Sequence, residues 1–171
     1  MSAQLYTTTL QIVRTPLRLR DGAPAVTHIT DPSTAAQLLS AAIGADSQEH
    51  LVALSLNAKN EIVGITTIHI GGTNSCFAEI SNILRVPLLH NAMQFLIAHN
   101  HPSGDPTPSP EDLNTTRSIV AAAQIMGLEL CDHLIVTWDP NNFHSIRASP
   151  AGPNIFDRKY TLTWQTKGHT P

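Results

Sequence analysis

Two histidines and a downstream aspartate in the stretch HNHPSGDPTPSPEDL, residues 99–113, have the types and spacing of metal ligands. His99 and His101 follow directly on the apolar run MQFLIA, which is typical of a strand buried on both faces. Because side chains alternate along a strand, the two imidazoles are expected on the same face. Asp112 comes eleven residues after His101, and the turn-forming residues between them allow the chain to fold back.

This donor set predicts a catalytic metal site. Two imidazoles and one carboxylate suit a divalent ion such as Zn²⁺, and three protein ligands leave the fourth tetrahedral position for water. Hydrolysis at such a site also needs a proton acceptor for the water and a donor for the oxyanion that forms when water attacks a carbonyl.

Ser109 precedes Asp112 by three residues, so its hydroxyl is expected near the metal. Two roles compete for this hydroxyl. It can turn toward substrate, or it can cap the next helix, because the string SPED fits a capping box. Beside the two histidines, we favour the functional interpretation.

The rest of the chain predicts the elements that position these residues. Strands are expected over 4–19, 50–57, 61–70, 93–98, 128–137 and 143–147, and helices within 30–44, 79–91 and 109–127. This order predicts a single α/β domain with a mixed sheet between helices, over residues 28–148. Residues 1–27 are expected to form an N-terminal strand and loop extension, and residues 149–171 a C-terminal tail outside the core.

Composition limits the possible partners and location. The net charge of −3 gives no global electrostatic reason to expect nucleic acid, although Arg14, Arg18 and Arg20 form a local basic cluster. No apolar stretch is long enough to span a membrane and no signal pattern begins the chain, which favours a soluble, cytoplasmic protein. Two distant cysteines suggest neither a disulfide framework nor a cysteine zinc site.

Asp132 and His133 interrupt the apolar strand LELCDHLIVT. Burying such groups without partners costs a few kcal/mol, so both are expected to be hydrogen-bonded. Two interpretations stay open: satisfied core residues, or groups behind the metal ligands that orient one of them.

The motif H-x-H, seven residues, S-x-x-D resembles the signature of the JAMM (MPN/JAB) metalloprotease family. The wording HNHPSGDPTPS, with DHLIV and FHSIR downstream, resembles the RadC branch in particular. The resemblance implies a JAB/MPN-like, cytidine-deaminase-like α-β-α domain. It also implies His99, His101 and Asp112 as zinc ligands and Ser109 as the hydroxyl that stabilises the oxyanion.

The same resemblance implies an upstream glutamate as the general base. Glu49, Glu61 and Glu79 precede the histidines, and Glu49 lies 50 residues ahead of His99, immediately before a predicted core strand. Members of the RadC branch often carry a glutamate at this place, so we predict Glu49 as the base, with Glu61 next. Without a metal site, Glu49 would be interpreted as a solvated carboxylate at a strand end.

The predicted activity is zinc-dependent hydrolysis of a peptide or isopeptide bond in a protein or peptide substrate. Two alternatives stay open: a DNA-associated role in repair or processing, and a catalytically silent scaffold for protein partners. The segment GGTNSC within 71–79 is a candidate gate for the cleft. Substrate and oligomeric state do not follow from the sequence.

Overall fold

The computed structural model of the chain describes residues 26–71 and 79–160. The helices are α1 (Pro32–Ile43), α2 (Ile80–Leu89), α3 (Pro110–Ile125) and α4 (Gly152–Phe156). The strands are β1 (His50–Leu56), β2 (Ile62–Ile70), β3 (Gln94–Asn100), β4 (Glu129–Val136) and β5 (His144–Ser145). The predicted strand over 4–19, the three arginines at 14, 18 and 20, and most of the candidate gate lie outside the described residues.

The strands form one mixed sheet in the order β2-β1-β3-β4-β5. β1 is antiparallel to β2 and to β3, β3 and β4 are parallel, and β5 is antiparallel to β4. Parallel neighbours need a crossover connection, which α3 provides. A short loop that begins with His101 joins the end of β3 to the start of α3.

Helices cover both faces of the sheet. Alternate residues of β3 serve the two faces: Phe95 and Ile97 pack with α2, α3 and α4, whereas Leu96 and Ala98 pack with α1. This alternation between two apolar layers is why the strand reads as a continuous apolar run. The predicted α-β-α domain with a mixed central sheet is confirmed. Among the helices of the described ranges, none has the length and apolar character to cross a membrane.

The three predicted helices, α1, α2 and α3, begin and end close to their predicted limits. Asp31 caps α1 by accepting a hydrogen bond from the Thr34 N–H at 2.9 Å, and Pro32 occupies the first turn. The Thr34 hydrogen bonds lower the pKa of Asp31 to about 2. In α2, Pro87 lies buried inside the helix.

The prediction that residues 149–171 lie outside the core is wrong for their first part. Ile155 and Phe156 of α4 are buried in the layer formed by α2 and α3. Gly152 allows this approach, because a Cβ there would lie 1.9 Å from the Arg147 carbonyl oxygen. The short helix was missed because five residues carry too little periodicity to predict it.

Candidate metal centre

The loop after β3 is anchored to the neighbouring strand at His101. The His101 N–H donates to the Val136 carbonyl at 3.0 Å, which extends the β3–β4 pairing past the end of β3. The loop then turns at Gly104, whose φ of 82° lies in the left-handed region that favours glycine. This turn returns the chain toward the N-terminus of α3.

A contact within the loop determines which ring nitrogen of His101 carries the proton. Nδ1 lies 2.7 Å from the Asp105 carbonyl oxygen, which only accepts hydrogen bonds. Nδ1 therefore carries the proton in the neutral ring, and Nε2 presents a lone pair. That lone pair faces His99, whose Nε2 is 3.0 Å away.

Hydrogen bonds of Thr116 and His133 determine the tautomer of His99. The Thr116 hydroxyl donates its only hydrogen to the Asp112 carbonyl at 2.6 Å, so it must accept from His133 Nδ1, also at 2.6 Å. His133 Nε2 then has a lone pair and accepts from His99 Nδ1 at 2.8 Å. His99 Nε2 is consequently a lone pair as well.

With both rings neutral, two lone pairs face each other at 3.0 Å with no proton between them. Asp112 Oδ1 lies 3.5 Å from His99 Nε2, and the three candidate ligand atoms all lie within 4.8 Å of one another. Nitrogens bound to one tetrahedral zinc at about 2.0–2.1 Å are separated by roughly 3.3 Å. A cation between these atoms would relieve the repulsion, so the donor set fits zinc in type, number and spacing.

Burial favours the neutral form of the His99 and His133 imidazoles. It lowers the pKa of His99 to about 4, with Asp112 opposing the shift and His101 adding to it. Burial also holds the pKa of His133 well below its ordinary value, and His99 and His101 act in the same direction. Because metal ligation needs unprotonated imidazole, this environment favours metal over proton at His99.

Ser109 holds the Asp112 carboxylate in a capping box. Asp112 Oδ2 accepts from the Ser109 N–H at 2.8 Å and from the Ser109 hydroxyl at 2.6 Å, while the Asp112 N–H donates to Ser109 Oγ at 3.1 Å. These bonds leave Oδ1 turned toward His99. The predicted cap is present, and the predicted oxyanion role requires the hydroxyl hydrogen to leave Oδ2 when substrate binds.

Of Asp132 and His133, the two polar residues singled out in β4, His133 contacts the site and Asp132 has other partners. Asp132 Oδ1 accepts from the N–H groups of His133 and Arg147, and Oδ2 accepts from the Ser145 hydroxyl. Burial raises the pKa of Asp132 against these hydrogen bonds. The contacts join β4 to β5, which supports the satisfied-core interpretation for Asp132 and the ligand-orienting interpretation for His133.

Glu49 immediately precedes β1, the strand that pairs with the histidine-bearing strand β3. Leu51 pairs with His99 across the β1–β3 ladder, so extending this register by two residues places Glu49 opposite His101. Alternation continued past the start of β1 would put the two residues on one face of the sheet. The Glu49 carbonyl accepts from the Gly71 N–H at 3.0 Å, so the backbone here is also tied to the chain that leaves β2.

The other two candidate bases have other described partners. Glu61 immediately precedes β2, and its carboxylate accepts from the Asn57 amide and lies 3.4 Å from His28 Nε2. The turn between β1 and β2 lies at the Glu61 end of this strand pair, and Glu49 lies at the other end. Glu79 precedes α2 and accepts from the Ser81 hydroxyl at 3.4 Å.

Two residues of this region were missed by sequence reasoning. Thr116 follows Asp112 by four residues on α3, so a helical wheel would have placed both on one face. Asn100 is fully buried between the two histidines, and a polar residue inside an apolar strand was the available signal.

Comparison with known proteins gives a consistent result. Residues 29–151 match the family described as RadC-like JAB domain. A UPF0758 protein of Roseiflexus sp. (strain RS-1) is 39% identical over 108 residues, which are 63% of this chain and 46% of that protein. A UPF0758 protein of Moorella thermoacetica is 41% identical over 110 residues, 64% of this chain and 48% of that protein. The matched part thus spans about half the length of these relatives.

Proposed function

The chain belongs to the RadC-like JAB domain family, and on that premise we propose that it is a zinc-dependent metallohydrolase that cleaves a peptide or isopeptide bond. One observation carries the proposal. The His99 and His101 Nε2 lone pairs face each other at 3.0 Å beside the Asp112 carboxylate, which is an arrangement that calls for a cation. His99, His101 and Asp112 would hold this cation.

Zinc, when bound, would supply Lewis-acid polarisation of the scissile carbonyl and would lower the pKa of water toward about 7. The first contribution of the protein is its set of three ligands. Three ligands leave one tetrahedral position open, which is the difference between a catalytic and a structural zinc site.

Glu49 is the proposed proton carrier. Its carboxylate accepts a proton from the attacking water and delivers that proton to the leaving amine nitrogen, so the reaction consumes one water and releases one carboxylate and one amine. Its position two residues before Leu51, the β1 partner of His99, supports this role.

Ser109 is the proposed donor to the oxyanion. Its Oγ lies at the N-terminus of α3 and contacts the Asp112 carboxylate directly, so a short rotation redirects its hydrogen toward a carbonyl oxygen at the site. The helix N-terminus adds a favourable partial positive charge for the developing negative charge.

The first test is zinc content measured by elemental analysis on the purified chain, with His101→Ala beside it and His28→Ala as the matched control. His28 is an exposed histidine next to Glu61, at the other end of the β1–β2 pair. We expect about one zinc per chain in the parent protein and in His28→Ala, and loss of zinc in His101→Ala. Absence of stoichiometric zinc from the parent after zinc is supplied would contradict the proposal.

The second test is cleavage of peptide and isopeptide substrates by the zinc-loaded protein, with Glu49→Gln as the inactive control. The two alternatives predict other outcomes. A silent scaffold binds zinc or peptide without turnover, and a DNA-associated protein shows salt-dependent binding to duplex or single-stranded DNA. Turnover lost in Glu49→Gln and by chelation would support the hydrolase over both.

A further inference from the structure

Asn100, between the two histidines, points away from them and holds a different segment of the chain. Its Oδ1 accepts from the His50 N–H at 2.7 Å. Its Nδ2 donates to the Gln48 carbonyl at 3.0 Å and to the Asp46 carbonyl at 3.2 Å. Asn100 has 0% of its own surface exposed, so its amide group has these three backbone partners and no contact with bulk water.

These three bonds enclose the residue predicted as the base. They fix the backbone at 46, 48 and 50, on both sides of Glu49, and the Gly71 N–H fixes the Glu49 carbonyl itself. The segment has no regular secondary structure before His50, so its course depends on such contacts. One side chain thus connects the strand that carries His99 and His101 to the segment that carries Glu49.

We propose that Asn100 is a positioning residue that holds Glu49 in reach of the metal centre; this inference rests on the proposed function. An amide is suited to the task because it donates and accepts at the same time. A side chain without these groups would leave one backbone N–H and two carbonyls without this partner, and the segment would move to find others. Asn100 acts on the reaction through Glu49 alone.

The first experiment needs neither zinc nor substrate. Amide hydrogen exchange is measured by NMR on the full chain and on Asn100→Ala, Asn100→Ser and Asn57→Ala. Asn57 is the matched control, because its side chain also clamps a turn by accepting from two backbone N–H groups, those of Lys59 and Glu61. We expect the His50 amide to exchange roughly tenfold faster in Asn100→Ala, less so in Asn100→Ser, and unchanged in Asn57→Ala. Unchanged exchange in Asn100→Ala would overturn the inference.

The second experiment separates positioning from ligation. Zinc affinity should stay within about twofold in Asn100→Ala, because the three ligands and their partners are untouched. On a cleavable substrate, kcat should fall about 10–100-fold with little change in KM, the size of effect that a misplaced catalytic group produces. A proportional loss of zinc would instead indicate a merely structural role and would overturn the proposal.

A double-mutant cycle distinguishes failure of this inference from failure of the proposed function. If Asn100 acts through Glu49, adding Asn100→Ala to Glu49→Gln should lower kcat no further. Full activity in Asn100→Ala, with Glu49→Gln inactive, would refute the Asn100 role alone. Full activity in Glu49→Gln would refute the proposed base. The hydrogen-exchange measurement would then still decide whether Asn100 fixes the backbone around Glu49.

Discussion

On the side of the centre formed by α3 and the neighbouring β4, called the α3 side below, side chains contact the candidate ligands directly, whereas on the β1 side a side chain bonds to backbone. Ser109 and His133 each contact a candidate ligand directly, at 2.6 and 2.8 Å. Glu49, in contrast, is placed by backbone groups on either side of it that bond to Asn100. The α3 side therefore controls ligand orientation, and the β1 side controls only where a carboxylate sits.

This difference implies that metal binding and proton transfer can be damaged separately. Changes on the α3 side should lower zinc affinity, and activity as a consequence. Changes on the β1 side should lower kcat while zinc stays bound. The following variants test that separation.

The largest effect is expected for Asp112→Asn. The change removes the negative charge from the ligand set, while an amide oxygen can still accept at the N-terminus of α3. We expect zinc affinity to fall by more than the roughly 10–100-fold that loss of an outer partner costs, and activity to disappear. Competition with a chromogenic chelator measures the affinity. Retention of parental affinity would remove Asp112 from the ligand set.

Glu49→Gln should be nearly as damaging to activity but silent in the zinc measurement. Loss of a general base lowers kcat by about 10²–10⁴-fold, and the amide cannot take up the proton. Glu61→Gln, at the other end of the β1–β2 pair, is the matched control and should retain parental kcat. If Glu61→Gln were the inactive variant, the order of the two candidate bases would be reversed.

Ser109→Ala should affect more than one property, because the Ser109 hydroxyl contacts a candidate ligand and can reach substrate. As the oxyanion donor, its loss should lower kcat by about 10²–10³-fold. As the cap of α3, its loss should lower the free energy of unfolding by about 1 kcal/mol, measured by urea denaturation. Ser109→Asn separates these effects, since asparagine caps well but has no hydroxyl; a parental kcat in Ser109→Ala would leave only the capping role.

Thr116→Val should give the smallest effect of the series, and its direct effect should be a lower zinc affinity. Valine removes the acceptor that assigns the His133 tautomer, so His99 Nδ1 loses its defined partner. We expect zinc to bind about 10–100-fold more weakly and Thr116→Ser to restore it. Long-range imidazole NMR on the metal-free protein reads the His99 tautomer directly; an unchanged tautomer in Thr116→Val would contradict the chain of hydrogen bonds.

The grouping of His99, His101 and Asp112 was predictable because it is local. Strand alternation puts the two imidazoles on one face, and a turn-rich loop followed by a helix cap brings the carboxylate back. The main helices and strands were predictable for the same reason, since each has its own period and end signals. The short α4 was not, because its burial depends on a sheet face assembled from distant residues.

The sequence by itself determined which residues can bind a metal and which elements carry them, because those signals lie within a few residues of one another. Only the tertiary structure decided how these residues are oriented. The contacts of His133 with His99 and of Asn100 with Gln48 join positions 34 and 52 residues apart, and they form only when β1, β3 and β4 pair. Hydrogen-bond direction, and with it the ligand tautomers, follows from that pairing.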